Sequence, residues 1–181
     1  MVSKIALVFT LFVMVSQADG MTYQKAYQLI AEQGESLRYS SRDHGALCEV
    51  LAVEKMKAIF PRAIIESGIK YGPEGGNTMG ELDVVMFENG YANMIIEVKC
   101  MKNYGSASSK AEGQLNRFAA VAGRCDFDYW DSYESFSCDE FQGSNKSYHK
   151  MSYLDAQRYG FDLSFDLTRD DILRLIDDLS R

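Results

Sequence analysis

Asp83, Glu97 and Lys99 are the residues of this chain whose types and spacing could do chemistry together. In Glu97-Val98-Lys99 a carboxylate and an ammonium fall on one face of an extended strand, because strand side chains alternate with period two. Asp83 lies 14 residues before Glu97. Two carboxylates with open positions beside them bind hard divalent ions such as Mg2+ or Mn2+ through oxygen. A bound ion of this kind polarises a phosphate, lowers the pKa of a bound water and stabilises a leaving oxygen. A neighbouring ammonium offsets the charge that builds on the transferring group. The chemistry these groups suit is phosphodiester hydrolysis. The competing interpretation is a solvated ion pair on a sheet face, worth at most about 1 kcal/mol.

Two strands must bring these groups together. Leu82, Val84 and Met86 alternate with Glu81, Asp83, Val85 and Phe87, and after Asn89-Gly90 the residues Met94, Ile96 and Val98 alternate with Ile95, Glu97 and Lys99. This is a β-hairpin with a strong turn signal. Its register decides the site. A plain two-residue Asn89-Gly90 loop sets Asp83 opposite Ile96, on the wrong face. A three-residue loop, Glu88-Asn89-Gly90, sets Asp83 opposite Ile95 and Glu81 opposite Glu97, with all the polar side chains on one face. The expectation is this odd-numbered loop or an equivalent bulge.

The remaining elements frame that hairpin. A mixed pattern over Thr22 to Arg38 gives a first helix ending near Gly34. Ser41 to Asp43 can cap a second helix that runs to about Phe60, with apolar Leu47, Val50, Leu51, Val53 and Met56 at helical spacing and Pro61 as its stop. Ala63 to Tyr71 reads as a strand, followed by a glycine-rich loop through Gly72, Gly75 and Gly76. Ser108 or Ser109 caps a helix over Lys110 to Ala122, on which Lys110, Gln114 and Arg117 share a face able to contact a phosphate. The stretch from Gly123 to Gly160 is rich in Tyr, Asp and Ser and offers only a strand near Ser135 to Phe141. Thr168 caps a last amphipathic helix, Asp170 to Leu179. The order α-α-β-β-β-α-(β)-α implies an α+β fold with helices packed on a mixed sheet.

Gly80-Glu81-Leu82-Asp83-Val84-Val85 followed by Met94-Ile95-Ile96-Glu97-Val98-Lys99 resembles the PD-(D/E)XK nuclease superfamily, most of all its small resolvase-like and RecB-like branches. The resemblance covers residues 45–122, with Leu82 in place of the motif's nominal proline. It implies a restriction-endonuclease-like core, in which a helix is followed by a three- to four-stranded mixed sheet. It also implies a Mg2+- or Mn2+-dependent endonuclease, with DNA favoured over RNA as substrate. Asp83 and Glu97 would be metal ligands and Lys99 the charge stabiliser. Glu49, in Leu47-Cys48-Glu49-Val50, stands where such families place a further metal-site acid, and Gln114 where related nucleases carry a helix glutamine beside the site. Glu81, Lys110 and Arg117 are additional candidates. Junction resolution is not carried over, because an acidic, exported chain suits it poorly.

Export itself is read from residues 1–18. Lys4 precedes the apolar run Ile5 to Val15, and Ser16-Gln17-Ala18 supplies small residues for cleavage, with Gly20 as the alternative end. The run is too short for a membrane helix, which needs about 20 apolar residues. The expected mature chain is therefore secreted or periplasmic, one domain over 19–181, without stable membrane association. In an oxidising compartment the four cysteines favour disulfides. Of three possible pairings, Cys125–Cys138 with Cys48–Cys100 is preferred. No CxxC spacing occurs and only two histidines are present, which argues against structural zinc. Asn145-Lys146-Ser147 is a glycosylation sequon if the host is eukaryotic.

A net charge of −7 argues against a broad basic face for gripping duplex DNA, since phosphate neutralisation supplies most non-specific affinity. A bound cation offsets this only locally. The segment from Cys125 to Tyr133 interleaves aromatics with aspartates, which fits a protein-contact surface over residues 125–150 better than a base-stacking one.

Overall fold

A tight turn sets the geometry of the sheet. Asn89 and Gly90 both have positive φ (53° and 80°), the requirement of a two-residue hairpin turn whose twist matches its strands. The turn joins β4 (Val84–Glu88) to β5 (Tyr91–Val98). Glu88 pairs with Tyr91 and Phe87 with Ala92, but the next pair is Met86 with Met94, so Asn93 is bulged out of the ladder. The turn is therefore the two-residue one, and a bulge supplies the odd residue that a two-residue turn lacks. Beyond it Val85 pairs with Ile95 and Val84 with Ile96, which brings Asp83 level with Glu97 on a common face. The expected pairing of Asp83 with Ile95 and of Glu81 with Glu97 is thus corrected by two residues.

The computed structural model describes residues 20–32, 44–143 and 145–180. The expected export signal, the helix stop near Gly34 and the cap at Ser41 to Asp43 lie outside them. The fold is α+β, and its main sheet is mixed: five strands in the order β1 (Ile64–Glu66), β4, β5, β8 (Ser147–Ser152) and β9 (Leu163–Ser164), with β5, β8 and β9 parallel. A second, antiparallel sheet has the order β3 (Gly80–Leu82), β2 (Ile69–Pro73), β6 (Phe127–Trp130) and β7 (Ser135–Phe136). The strand expected over Ala63 to Tyr71 is β1 and β2, broken at Ser67-Gly68, and the strand expected over Glu81 to Phe87 is β3 and β4, broken at Asp83. One continuous register links both halves, with Glu66 opposite Val85 and Ile69 opposite Leu82. The hairpin bends where Gly68 takes φ +70°, a conformation glycine adopts without a Cβ penalty, and so passes from one sheet into the other.

Helices cover the main sheet. On one side, α1 (Tyr23–Glu32), α2 (His44–Ile59) and α4 (Arg169–Leu179) pack over Val84, Met86, Ile96 and Val98. On the other, α3 (Tyr104–Ala119) and the second sheet enclose Val85, Phe87, Ile95, Leu115, Phe118, Tyr129 and Phe141. Thr168 and Asp171 form a reciprocal capping box that starts α4 at the expected place. The start of α3 differs from expectation: Asn103 accepts from Ser106 N at 3.0 Å, so the helix begins six residues before Lys110, and Ser108 and Ser109 lie inside it. Small residues make this possible, since Ala107, Ser108 and Ala111 are buried where the helix lies against the sheet. The strand expected near Ser135 to Phe141 is only β7, after which Cys138–Phe141 turns into a 3-10 helix.

Two disulfides, Cys48–Cys100 and Cys125–Cys138, join the preferred partners. The first ties α2 to the end of β5, and the second closes the loop from β6 to the 3-10 helix. No helix among the described residues is long and apolar enough to cross a membrane.

Candidate functional site

Asp83 occupies the bend itself, and that position determines its role. It belongs to neither β3 nor β4, and its Oδ2 accepts from the Val98 amide at 2.8 Å, so a side chain closes the ladder where the backbone departs. Glu97, on the same face of β5, is 1% exposed, and Asp83 is 8% exposed. Carboxylates are almost never buried to this degree unless paired. Lys99 supplies the pairing. Its ammonium contacts Glu97 Oε1 and lies 3.4 Å from Asp83 Oδ2. The Lys99 backbone is clamped by β8, its amide donating to Met151 O at 3.0 Å and its carbonyl accepting from Ser152 Oγ at 2.6 Å. A solvated surface ion pair, the competing interpretation, does not fit such burial.

One ammonium cannot satisfy two buried carboxylates. Burial and then the neighbouring Asp83 hold Glu97 well above the usual carboxylate range, despite the attraction of Lys99. For Lys99, burial acts downward, but Asp83 and Glu97 outweigh it and raise the ammonium's pKa. Glu49, half-buried on α2, is pushed up to about 7, first by burial and then by Asp83 and Glu81, with Lys99 opposing. Fully ionised, the cluster would carry more negative charge than its own cation balances, and protons on Glu97 and Glu49 make up the difference. Asp83 and Glu97, with Glu49 behind them, are a donor set suited to a hard divalent cation. Among the described residues, Asp83, Glu97 and Glu49 do not all come within 4.8 Å of one another. Elsewhere, Glu66, Asp131 and Glu134 approach one another within that distance near the surface.

The other sequence-derived candidates divide. Glu81 lies exposed on β3, opposite Lys70 in the second sheet, close enough to act on Glu49 but not on the Glu97 face. Arg117 on α3 is exposed and adjoins Phe118, whose ring packs on Tyr71 at 5.1 Å, and it makes no hydrogen bond to Asp83, Glu97 or Lys99. Gln114 is half-buried one turn earlier and makes no hydrogen bond to Asp83, Glu97 or Lys99, and Lys110 is exposed further along the helix. Cys48–Cys100 joins the immediate neighbours of Glu49 and Lys99 and so fixes α2 against the strand that carries the ammonium.

Two further residues at the site were not singled out from sequence. Lys150 of β8 is the register partner of Glu97, and its ammonium contacts Ser108 Oγ at 3.1 Å and lies 3.8 Å from Glu112. A parallel strand is what a strand-helix connection such as β5-α3 calls for next, and that was the available signal. Tyr71 of β2 is 2% exposed, with its ring across Gly80. A cavity of about 310 Å³ lined by Glu49, Val50, Val53 and Ser67 opens beside the cluster. Another, of about 490 Å³, is lined by Phe127, Trp130, Phe136 and the Cys125–Cys138 bridge, on the second sheet. Compared with protein-family models, curated proteins and solved structures, the chain shows no match.

Proposed function

We propose that this protein is an exported, Mg2+- or Mn2+-dependent endonuclease that hydrolyses phosphodiester bonds, with DNA favoured over RNA. The observation that carries the reading is the convergence of Asp83 and Glu97, both buried, on the single ammonium of Lys99. The resemblance of residues 45–122 to PD-(D/E)XK nucleases supports it, as does the order helix, three antiparallel segments, helix and parallel strand around that cluster. In this reading Asp83 and Glu97 would hold the ion, with Glu49 a further ligand or a contact to metal-bound water. The ion, when bound, would polarise the scissile phosphate and acidify the attacking water. Lys99 offsets charge on the phosphoryl oxygens as they crowd together, and Arg117 on the rim orients the strand's backbone. The net charge of −7 makes the ion a condition of substrate approach as well as of chemistry.

A second reading, favoured by the almost fully exposed Tyr133 (95%) and by the aromatic-lined cavity on the second sheet, is a secreted protein-binding module on an inactive scaffold of this type, docking through residues 125–150. One assay separates the two. Purified mature protein is incubated with plasmid and single-stranded DNA and RNA in Mg2+, Mn2+ or EDTA, beside Lys99→Ala. Ion-dependent cleavage that Lys99→Ala loses while still folded supports the nuclease. Absence of cleavage of every nucleic acid by the wild type rejects it in favour of the binding module.

A further inference from the structure

Tyr71 presents a polar group that the fold does not use. Its ring is packed edge-on against Phe118 at 5.1 Å and lies across Gly80, its partner in β3. A Cβ at Gly80 would stand 2.5 Å from the hydroxyl oxygen, so glycine is what lets the phenol extend past β3. Among the described residues the hydroxyl has no hydrogen-bond partner. Tyr129, its register partner on β6 and equally buried, donates to Val121 O at 2.8 Å. A buried hydroxyl without a partner costs free energy and calls for an explanation.

Its surroundings supply one. Burial and Glu97 keep the phenol protonated, against the pull of Arg117, so it is a donor. Its ring packs on Phe118, the sequence neighbour of Arg117, and its hydroxyl passes Gly80, three residues before Asp83; Arg117 has no partner among the described residues. A ligand that bridges a cation and a guanidinium is an anion with several acceptor oxygens, and a phosphodiester is such an anion. We infer that Tyr71 is a further substrate-contacting residue, whose hydroxyl donates to a non-bridging phosphoryl oxygen held between the Glu97 end of the site and Arg117.

This rests on the nuclease reading, and the test keeps the two apart. Tyr71→Phe removes only the oxygen and preserves the ring contacts. The expected result is a roughly ten- to hundredfold loss of kcat/KM in nucleic-acid cleavage, with Mn2+ affinity and Tm unchanged or Tm raised. Tyr71→Phe cleaving like the wild type overturns the inference and leaves the nuclease reading standing. A fall in Tm accompanying the loss makes the hydroxyl structural and also overturns it. A wild type that cleaves no nucleic acid removes both.

Discussion

Asp83 and Glu97 at the centre of the main sheet, and Asp126 and Asp131 at the two ends of β6, are the same chemical group in two electrical surroundings. Asp126 and Asp131 are held below the usual carboxylate range, the first by a hydrogen bond from Arg124 (Nε to Oδ1 2.9 Å) and the second by the amides of Tyr133 and Glu134. Each has local partners and water. Around Glu97 the balance is reversed, because burial and a second carboxylate raise the cost of charge and one lysine repays part of it. An acid that stabilises its own loop needs nothing further, whereas under the proposed function the buried pair sharing one ammonium would be completed by a cation. Acidic composition alone, conspicuous in the stretch from Cys125 to Tyr133, is a poor guide to where an ion would bind.

The comparison can be broken by mutation. Asp83→Asn or Glu97→Gln should lower ion-dependent cleavage roughly a thousandfold, as loss of a charge-stabilising element at the reacting centre does. Asp126→Asn and Asp131→Asn should stay within about twofold in the same plasmid assay, as surface changes do. The disulfides sharpen it further. Replacing Cys48 and Cys100 by alanine should cost about 4 kcal/mol in urea unfolding, and the Cys125/Cys138 pair about 3 kcal/mol, given loop separations of 52 and 13 residues. Only the first pair should depress cleavage, since it alone adjoins Glu49 and Lys99. Lys99→Met should cost about 3 kcal/mol at pH 8 by leaving buried carboxylates uncompensated, and less at pH 5, where Glu97 is protonated.

The smallest effect concerns pH. Glu49 and Glu97 have raised folded-state pKa values, so the native state binds protons more tightly than the unfolded chain. Their contribution to stability is fully present below the ordinary carboxylate pKa and is lost as pH rises through the folded values, which for Glu49 is about 7. A cation bound as proposed would displace those protons and reverse the loss. Mn2+ affinity measured by calorimetry should therefore climb by roughly tenfold from pH 6 to pH 8, and Glu49→Gln should flatten part of that climb.

Much of this was legible in the chain. Alternation around Asn89-Gly90 gave the hairpin, Pro61 and Thr168 marked helix ends, and the demand that Asp83 share a face with Glu97 required an odd residue, which proved to be Asn93 in a bulge. Cys125–Cys138 was legible as the closure of a short polar loop, and Cys48–Cys100 from the motif residues that flank both cysteines. What local pattern could not carry was long-range. Gly68 and Asp83 look like ordinary members of two strands, yet together they bend the hairpin between two sheets. Ser147 to Ser152 alternates too weakly to announce a strand, because β8 takes its place by parallel pairing with β5, and Lys150 was missed with it. Ser108 and Ser109 lost to Asn103 as the cap, because the small residues of this stretch are buried against the sheet and the helix begins before them.

The most direct test of the central claim is ion binding itself, independent of any substrate. Titration calorimetry of Mn2+ into the purified protein at pH 8 should give one site per chain, abolished by Asp83→Asn and by Glu97→Gln and retained in Glu134→Gln. A wild type that takes up no Mn2+ at millimolar concentration, or one whose binding survives loss of Asp83 and disappears with Glu134, would contradict it.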